Sequence, residues 1–324
     1  MRAAVLHTHG EPPSHGEHPD PVAGEGLSIV RVTAAPVVPL DLLCASGTSY
    51  FGPPALPYVP GVQGVGVVEE SAVVAPGTRV FFATSAGMAA GDGSFAERSA
   101  VPDDDLIPLD TSVPDAAIAA IGLSGVAGWM TLTWRAQLQP GEQVLVLGGG
   151  GAVGQVAIGA ARVLGASRVV AMVHSDASRE RAMAAGADEV VALSTDVDEL
   201  TDRLGSTPFD VVIDSVFGVA ATAASRKLAE GGRLVNLGGS SGDAATFSSA
   251  VLRSKTASIL GYTNNAISAD QRRDALTAVL QHAATGAIAV AHETVTLADV
   301  AAAWKRQSAG QTAGRLVLTI TADG

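Results

Sequence analysis

Only one cysteine, Cys44, occurs in 324 residues. A single thiol closes no intramolecular disulfide, and it excludes a cysteine-cluster zinc site. Basic residues are scarce too, with 20 Lys and Arg against 32 Asp and Glu and a net charge of −12. No basic run and no stripe of aromatics among basic residues is present, so a nucleic-acid surface is not expected. The start, Met1-Arg2-Ala3-Ala4-Val5-Leu6-His7, lacks the apolar core of a secretory signal and runs straight into polar loop. Alanine-rich stretches fall short of a membrane span or are interrupted by charge and glycine. These absences predict a soluble, cytoplasmic protein. What remains is a chain 47% hydrophobic and long enough for two domains.

Glycine is where the chain is rich. Gln143-Val-Leu-Val-Leu147 leads into Gly149-x-Gly151-x-x-Gly154. An aliphatic, β-branched run of this kind suits a strand buried on both faces. Gly149 can make the tight turn, and Gly151 has no side chain to hold a pyrophosphate away from the backbone. Gly154 lets the next helix, over 152–164, sit close on the strand. The N–H groups of Ala152, Val153 and Gly154 then face the phosphates at a helix N-terminus, where the dipole favours anions. Further apolar runs at 168–173, 189–193, 209–214, 233–237 and 258–262 alternate with helical segments at 178–185, 196–204 and 220–228. That alternation predicts βαβ units in a doubly wound parallel sheet. Residues 27–34, 64–69, 79–83 and 94–101 are short strand-like runs among Gly and Pro, which predicts an irregular β-rich domain before it.

The residue that selects NAD stands at the end of the second strand, about 20 residues past the glycines, as an acid on the ribose 2′-hydroxyl. Here that place holds Val173 followed by His174-Ser175-Asp176-Ala177-Ser178-Arg179. His174, Ser175, Ser178 and Arg179 can donate to a 2′-phosphate, which favours NADPH. The alternative is that Ser178 caps the next helix and Arg179 is solvated. Ser215, Leu237 and Gly238 end the fourth and fifth strands, where nucleotides bind in such folds.

The order of several short motifs resembles the zinc-independent quinone oxidoreductase group of the medium-chain dehydrogenase/reductase superfamily. They are Pro39-Leu40-Asp41 with Ser46-Gly47, Leu56-Pro57-Tyr58-Val59-Pro60-Gly61, Pro76-Gly77-Thr78-Arg79-Val80 and Gly93-Ser94-Phe95-Ala96-Glu97. Leu138-Gln139-Pro140-Gly141-Glu142 precedes the glycine loop, and Gly314-Arg315-Leu316-Val317-Leu318 closes the chain. The resemblance implies a Rossmann-like NADPH-binding domain at 122–262. It also implies a β-rich GroES-like catalytic domain formed from both chain ends, 1–121 and 263–324, and a homodimer. Zinc-dependent relatives carry ligands where this chain has Val38 and Val62-Gln63, so no metal is expected, and none is expected from His7, His9, His15 and His18. The chain departs from the group at Val38 (usually Asn), Ala45 (Arg), Ala127 (Thr), Ser178 (Lys) and Leu193 (Tyr), so its nicotinamide pocket should be more apolar.

Without a Lewis acid, the acceptor must already be electrophilic: a quinone, or an alkene conjugated to a carbonyl. Hydride transfer from nicotinamide C4 to a quinone is the leading expectation. Reduction of an activated C=C bond and a low-turnover NADPH-binding sensor are the alternatives. Tyr50 is the candidate proton donor, or else an exposed loop aromatic. Gln63 is a candidate to orient ligand, and Asp41 is either catalytic or the cap of a helix at 42–46. Tyr262, Thr263, Asn264 and Arg315 are, by resemblance, candidates to approach the cofactor.

Overall fold

A computed structural model describes residues 1–321 and resolves the chain into two compact units. The first comprises Met1–Gly122 and the chain from Ala291 onward. It begins with a hairpin of β1 (Arg2–Val5) and β2 (Ser14–Glu17), which the sequence pattern does not announce. Then come β3 (Leu27–Pro36), helix α1 (Pro39–Ala45), β4 (Gln63–Glu70), β5 (Arg79–Ala83), β6 (Arg98–Pro102) and β7 (Leu106–Pro108). β6 starts at Arg98, later than the apolar run suggests, because Ser94 and Phe95 spend their N–H groups on the Gly61 and Pro60 carbonyls. Helix α2 (Asp115–Met130) is broken at Gly122, where φ is 32° and ψ is −133°. Together with the π-helical turn Thr131–Arg135 it forms a stretch long and apolar enough, by composition, to cross a membrane. As expected, the stretch is interrupted by glycine, at Gly122, and it is mostly buried, as a core helix is.

The second unit, Leu123–Val290, holds β8 (Gln143–Leu147), α3 (Ala152–Val163), β9 (Arg168–Val173), α4 (Asp176–Ala184), β10 (Glu189–Ala192) and α5 (Val197–Arg203). It continues with β11 (Phe209–Asp214), α6 (Gly218–Arg226), β12 (Leu228–Asn236), α7 (Ser249–Lys255), β13 (Ser258–Gly261) and α8 (Ala269–Ala284). All six strands pair in parallel, in the order β10-β9-β8-β11-β12-β13. Strand order reverses between β8 and β11, so the carboxyl ends of those two strands flank the crevice in which such sheets take nucleotides. Val144–Leu147 are all buried, as a central parallel strand requires.

The chain leaves this unit later than the expected 263. Helix α8 buries Ala275, Leu276, Val279 and Leu280, and the Ala287 carbonyl lies 2.9 Å from where a Cβ on Gly159 of α3 would stand. β14 (His292–Thr296), α9 (Val300–Ser308) and β15 (Arg315–Thr319) then rejoin the first unit. β15 pairs antiparallel with β3, completing a sheet ordered β14-β15-β3-β4-β5-β7 with β6 also on β3.

One charged staple stands out in the second unit. Arg233 donates to Glu142 Oε1 and Oε2 at 2.7 and 2.9 Å and to the Ala136 carbonyl at 2.7 Å, with little solvent on either partner. Arg233→Ala leaves a half-buried carboxylate and a carbonyl without these donors, so unfolding free energy should fall by about 2 kcal/mol. An unchanged denaturant midpoint for that variant would show that water replaces the guanidinium at no cost.

Candidate cofactor site

The turn after β8 is built from four glycines with different duties. The left-handed residue is Gly148 (φ 81°), not Gly149 as the motif suggests. Gly148 and Gly149 both donate to the Met172 carbonyl, at 2.9 and 3.1 Å, which tucks the loop under β9. Gly149 packs where a Cβ would meet Ala171 at 2.6 Å, and Gly150 where one would meet Ser178 Cβ at 2.5 Å. Gly154 seats α3 on the loop backbone, with Gly149 Cα 2.6 Å from a Cβ there. Gly151, by contrast, has open space on its Cβ side apart from the Gly148 carbonyl at 3.4 Å. As N-cap of α3 it carries no side chain to occupy the first-turn N–H groups. A glycine turn leading into a helix N-terminus whose N-cap carries no side chain is what a dinucleotide pyrophosphate needs, so the residues fit that group.

The β9–α4 segment sorts the 2′-phosphate candidates. His174 and Ser175 are exposed just past buried Val173. Ser175 is the N-cap of α4, accepting from Ser178 N–H at 3.2 Å, so the cap is Ser175 rather than Ser178. Ser178 is 1% exposed beneath Gly150, which removes it as a direct phosphate ligand. Arg179 donates to the Val190 carbonyl at 3.0 Å on the neighbouring strand. The guanidinium at the glycine loop belongs instead to Arg181, which donates to the Gly150 carbonyl (2.9 Å) and Ser178 Oγ (3.1 Å). Its spacing of three from Ser178 puts both on one face of α4, the one sign of it in the sequence.

Ser215 Oγ donates to the Leu147 carbonyl at 3.0 Å, beside Gly148. Leu237 N–H donates to the Asp214 carbonyl at 2.9 Å, and a Cβ on Gly238 would stand 3.2 Å from the Ser215 carbonyl oxygen. Tyr262 Oη donates to Asn264 Oδ1 (2.7 Å), whose Nδ2 donates to the Leu123 carbonyl (3.1 Å). Burial holds the Tyr262 phenol above its usual range. Thr263 Oγ1 accepts from Asn265 N–H, so its hydroxyl caps a turn.

In the first unit Asp41 is 2% exposed. Its Oδ2 accepts from Val38 N–H at 2.8 Å and its Oδ1 from Val62 N–H at 3.0 Å. Both oxygens are thus spent on backbone: Asp41 caps α1 from inside its first turn, the helix starting at Pro39, three residues before the expected 42, and it holds the Gly61–Val62 turn. Burial pushes its carboxyl up to about 7, against the opposing pull of those N–H groups and of Arg315. Arg315 donates to the Val37 carbonyl at 3.2 Å, and burial lowers its guanidinium to about 10. Gln63 is 2% exposed, with its Oε1 against Gly122 where any Cβ would collide. Tyr50 is 80% exposed with its ring 4.1 Å from Phe51, which is the exposed loop aromatic rather than a group in a dry slot. The N-terminal histidines have separate partners: His9 meets the Pro54 carbonyl and His18 meets Asp92.

Comparison with known proteins decides the family. An alcohol dehydrogenase GroES-like domain matches residues 24–111, and a zinc-binding dehydrogenase domain matches 152–284. The chain is 31% identical over 255 residues to quinone oxidoreductase-like protein 2 of Bos taurus, covering 72% of this chain and 71% of that one. It belongs to the quinone oxidoreductase group of the medium-chain dehydrogenase/reductase superfamily. It is also 31% identical over 308 residues to a phenolphthiocerol/phthiocerol polyketide synthase of Mycobacterium tuberculosis, a match that covers 91% of this chain but only 14% of that much longer protein. A mitochondrial enoyl-[acyl-carrier-protein] reductase of Xenopus tropicalis is 28% identical over 242 residues, covering 72% of this chain and 67% of that one. Among solved structures, a mycobacterial quinone oxidoreductase superposes with a TM-score of 0.88 at 25% identity, covering 99% of this chain and all of that one. A mycobacterial protein complexed with NADPH gives 0.85 at the same identity and coverage.

Three of the five positions at which the motifs depart from the group are packed in the core. Val38, Ala45 and Ala127 are 6%, 1% and 5% exposed, so each is filled by core contacts.

Proposed function

We propose that this medium-chain reductase uses NADPH to reduce quinones and does so without a metal ion. The observation that carries the reading is the N-terminus of α3, capped by Gly151 with no side chain of its own, at the end of a glycine turn where strand order reverses. NADPH is the dinucleotide: no acid stands at Val173, and His174 and Ser175 are exposed beside it. When bound, it supplies the hydride. The chain's part is to hold the pyrophosphate on Gly151 and the α3 N–H groups.

The residues present do not fit catalytic zinc. Val38 and Val62 have no donor atom, and the oxygens of Asp41 are taken by backbone N–H groups. An acceptor that needs no Lewis acid follows from this, and quinones are the leading class. The enoyl reductase relative supports a second reading, an activated C=C bond as acceptor.

Oxidation of NADPH by the EDTA-treated protein, with 1,4-benzoquinone and an α,β-unsaturated ketone assayed in parallel, tests both. Quinone turnover that survives EDTA is the expected result. Turnover of the enone alone transfers the assignment to the second reading, and loss of activity on EDTA treatment overturns the metal-free mechanism.

A further inference from the structure

Asp214 ends β11 with its side chain fully buried, and nothing in the proposed reaction uses it. Its Oδ1 accepts from Val216 N–H at 2.9 Å and Phe217 N–H at 2.7 Å. Its Oδ2 accepts from Asn236 Nδ2 at 3.1 Å, and the same amide donates to the Gly238 carbonyl at 2.8 Å. The carboxylate thus ties the turn after β11 to the turn after β12. The tie extends both ways. Ser215 Oγ reaches the Leu147 carbonyl at the end of β8, and Ser241 N–H reaches the Val216 carbonyl at 2.9 Å. Three neighbouring strands, β8, β11 and β12, therefore end in one hydrogen-bonded rim beside the glycine loop.

The turn that Asp214 holds is a costly one. Phe217 has φ 61° and ψ −157°, a conformation that only glycine adopts freely, and Gly218 follows at φ 60°. Two N–H bonds to one buried oxygen are what keep a phenylalanine there. Strain of this kind persists where surrounding bonds over-determine the backbone, and it concentrates at functional sites.

We propose that Asp214 is the positioning residue for the dinucleotide: through Val216, Phe217 and Asn236 it preforms the rim on which the nicotinamide half of NADPH is seated. This rests on the NADPH reading given above. Asp214 itself touches no cofactor atom in this scheme; it acts through the backbone it fixes.

The test is fluorescence titration of NADPH into the full-length wild type, Asp214→Ala, Asp214→Asn and the double variant Asp214→Asn/Phe217→Gly, well below each protein's unfolding temperature. Loss of all three hydrogen bonds that the carboxylate accepts predicts a rise in Kd of about tenfold for the alanine variant. The asparagine variant keeps one acceptor oxygen for the two N–H groups but turns an NH₂ toward the Asn236 amide donor, and it should lose about threefold. Glycine at 217 adopts the turn without help, so the double variant should recover part of that loss. A purely structural role gives a different result: lower Tm, unchanged Kd for the folded protein and no recovery by Phe217→Gly, and it overturns the proposal. If wild type itself fails to bind NADPH, the cofactor reading fails first and the rim has nothing to seat.

Discussion

Gly154→Val is expected to weaken NADPH binding about a hundredfold while leaving the first unit's fold intact. A Cβ at 154 meets the Gly148 carbonyl and lies 2.6 Å from Gly149 Cα, so backbone rather than a flexible side chain must give way. The strain can be relieved only by lifting α3 off the loop, which removes its first-turn N–H groups from the pyrophosphate position. Overpacking of this sort costs about 1–3 kcal/mol in stability. The binding loss should be greater, on the order of a hundredfold in Kd or about 2.7 kcal/mol. Gly16→Ala serves as the control, since nothing lies within 4 Å of a Cβ there and its φ is not positive. NADPH titration and thermal unfolding of both variants measure the two effects separately. Wild-type affinity in Gly154→Val would show that the cofactor is held elsewhere.

The second large effect is on pH. The Asp41 carboxyl sits at about 7 in the fold against 3.8 for the free group, and burial is the main cause. A raised acid pKa means the folded state holds its proton where the unfolded state has released it. Between about pH 4 and 7 the fold therefore binds more protons, and this group's contribution to stability declines as pH rises through that window. A rise of that size corresponds to about 4 kcal/mol at most, fully present below about pH 4 and gone above about 7. Asp41→Asn cannot titrate and should remove that slope from a series of urea midpoints. It also turns an amide NH₂ toward either Val38 or Val62 N–H, so a uniform loss of about 1–2 kcal/mol should accompany the flattening. A slope that survives the substitution would place the titration in some other group.

Much of the second unit is legible in the sequence because parallel strands are buried on both faces and so appear as unbroken aliphatic runs. β9 and β11 lie where the apolar runs place them, at Arg168–Val173 and Phe209–Asp214. The glycine loop is legible because tight backbone approach leaves no alternative residue. The first unit is harder. Its hairpin β1–β2 includes only one strand with an apolar pattern, since Ser14–Glu17 reads as polar loop. The motifs put the return from the second unit at 263, but α8 carries an apolar face that does not reveal which core it serves; its packing keeps the chain in place up to Val290.

The candidate site shows the same division at the scale of single residues. Composition and motif order by themselves determined that this is a two-unit dehydrogenase-type chain with a glycine turn suited to a dinucleotide, and that zinc ligands are missing at Val38 and Val62. The glycine turn follows from residue chemistry, since only glycine permits such close backbone approach; the zinc positions come from the resemblance, and valine's side chain has no lone pair to offer there. Tertiary structure alone decided which residues are still available for binding. Ser178 reads as a phosphate donor, but Gly150 closes over it; Asp41 reads as an acid, but two backbone N–H groups take its oxygens. Arg181 and Asp214 gain their places from groups such as Gly150 and Asn236 that are distant in the chain. Hydrogen-bond partners and burial are set by what folds against a residue, and no local pattern of residue types encodes that.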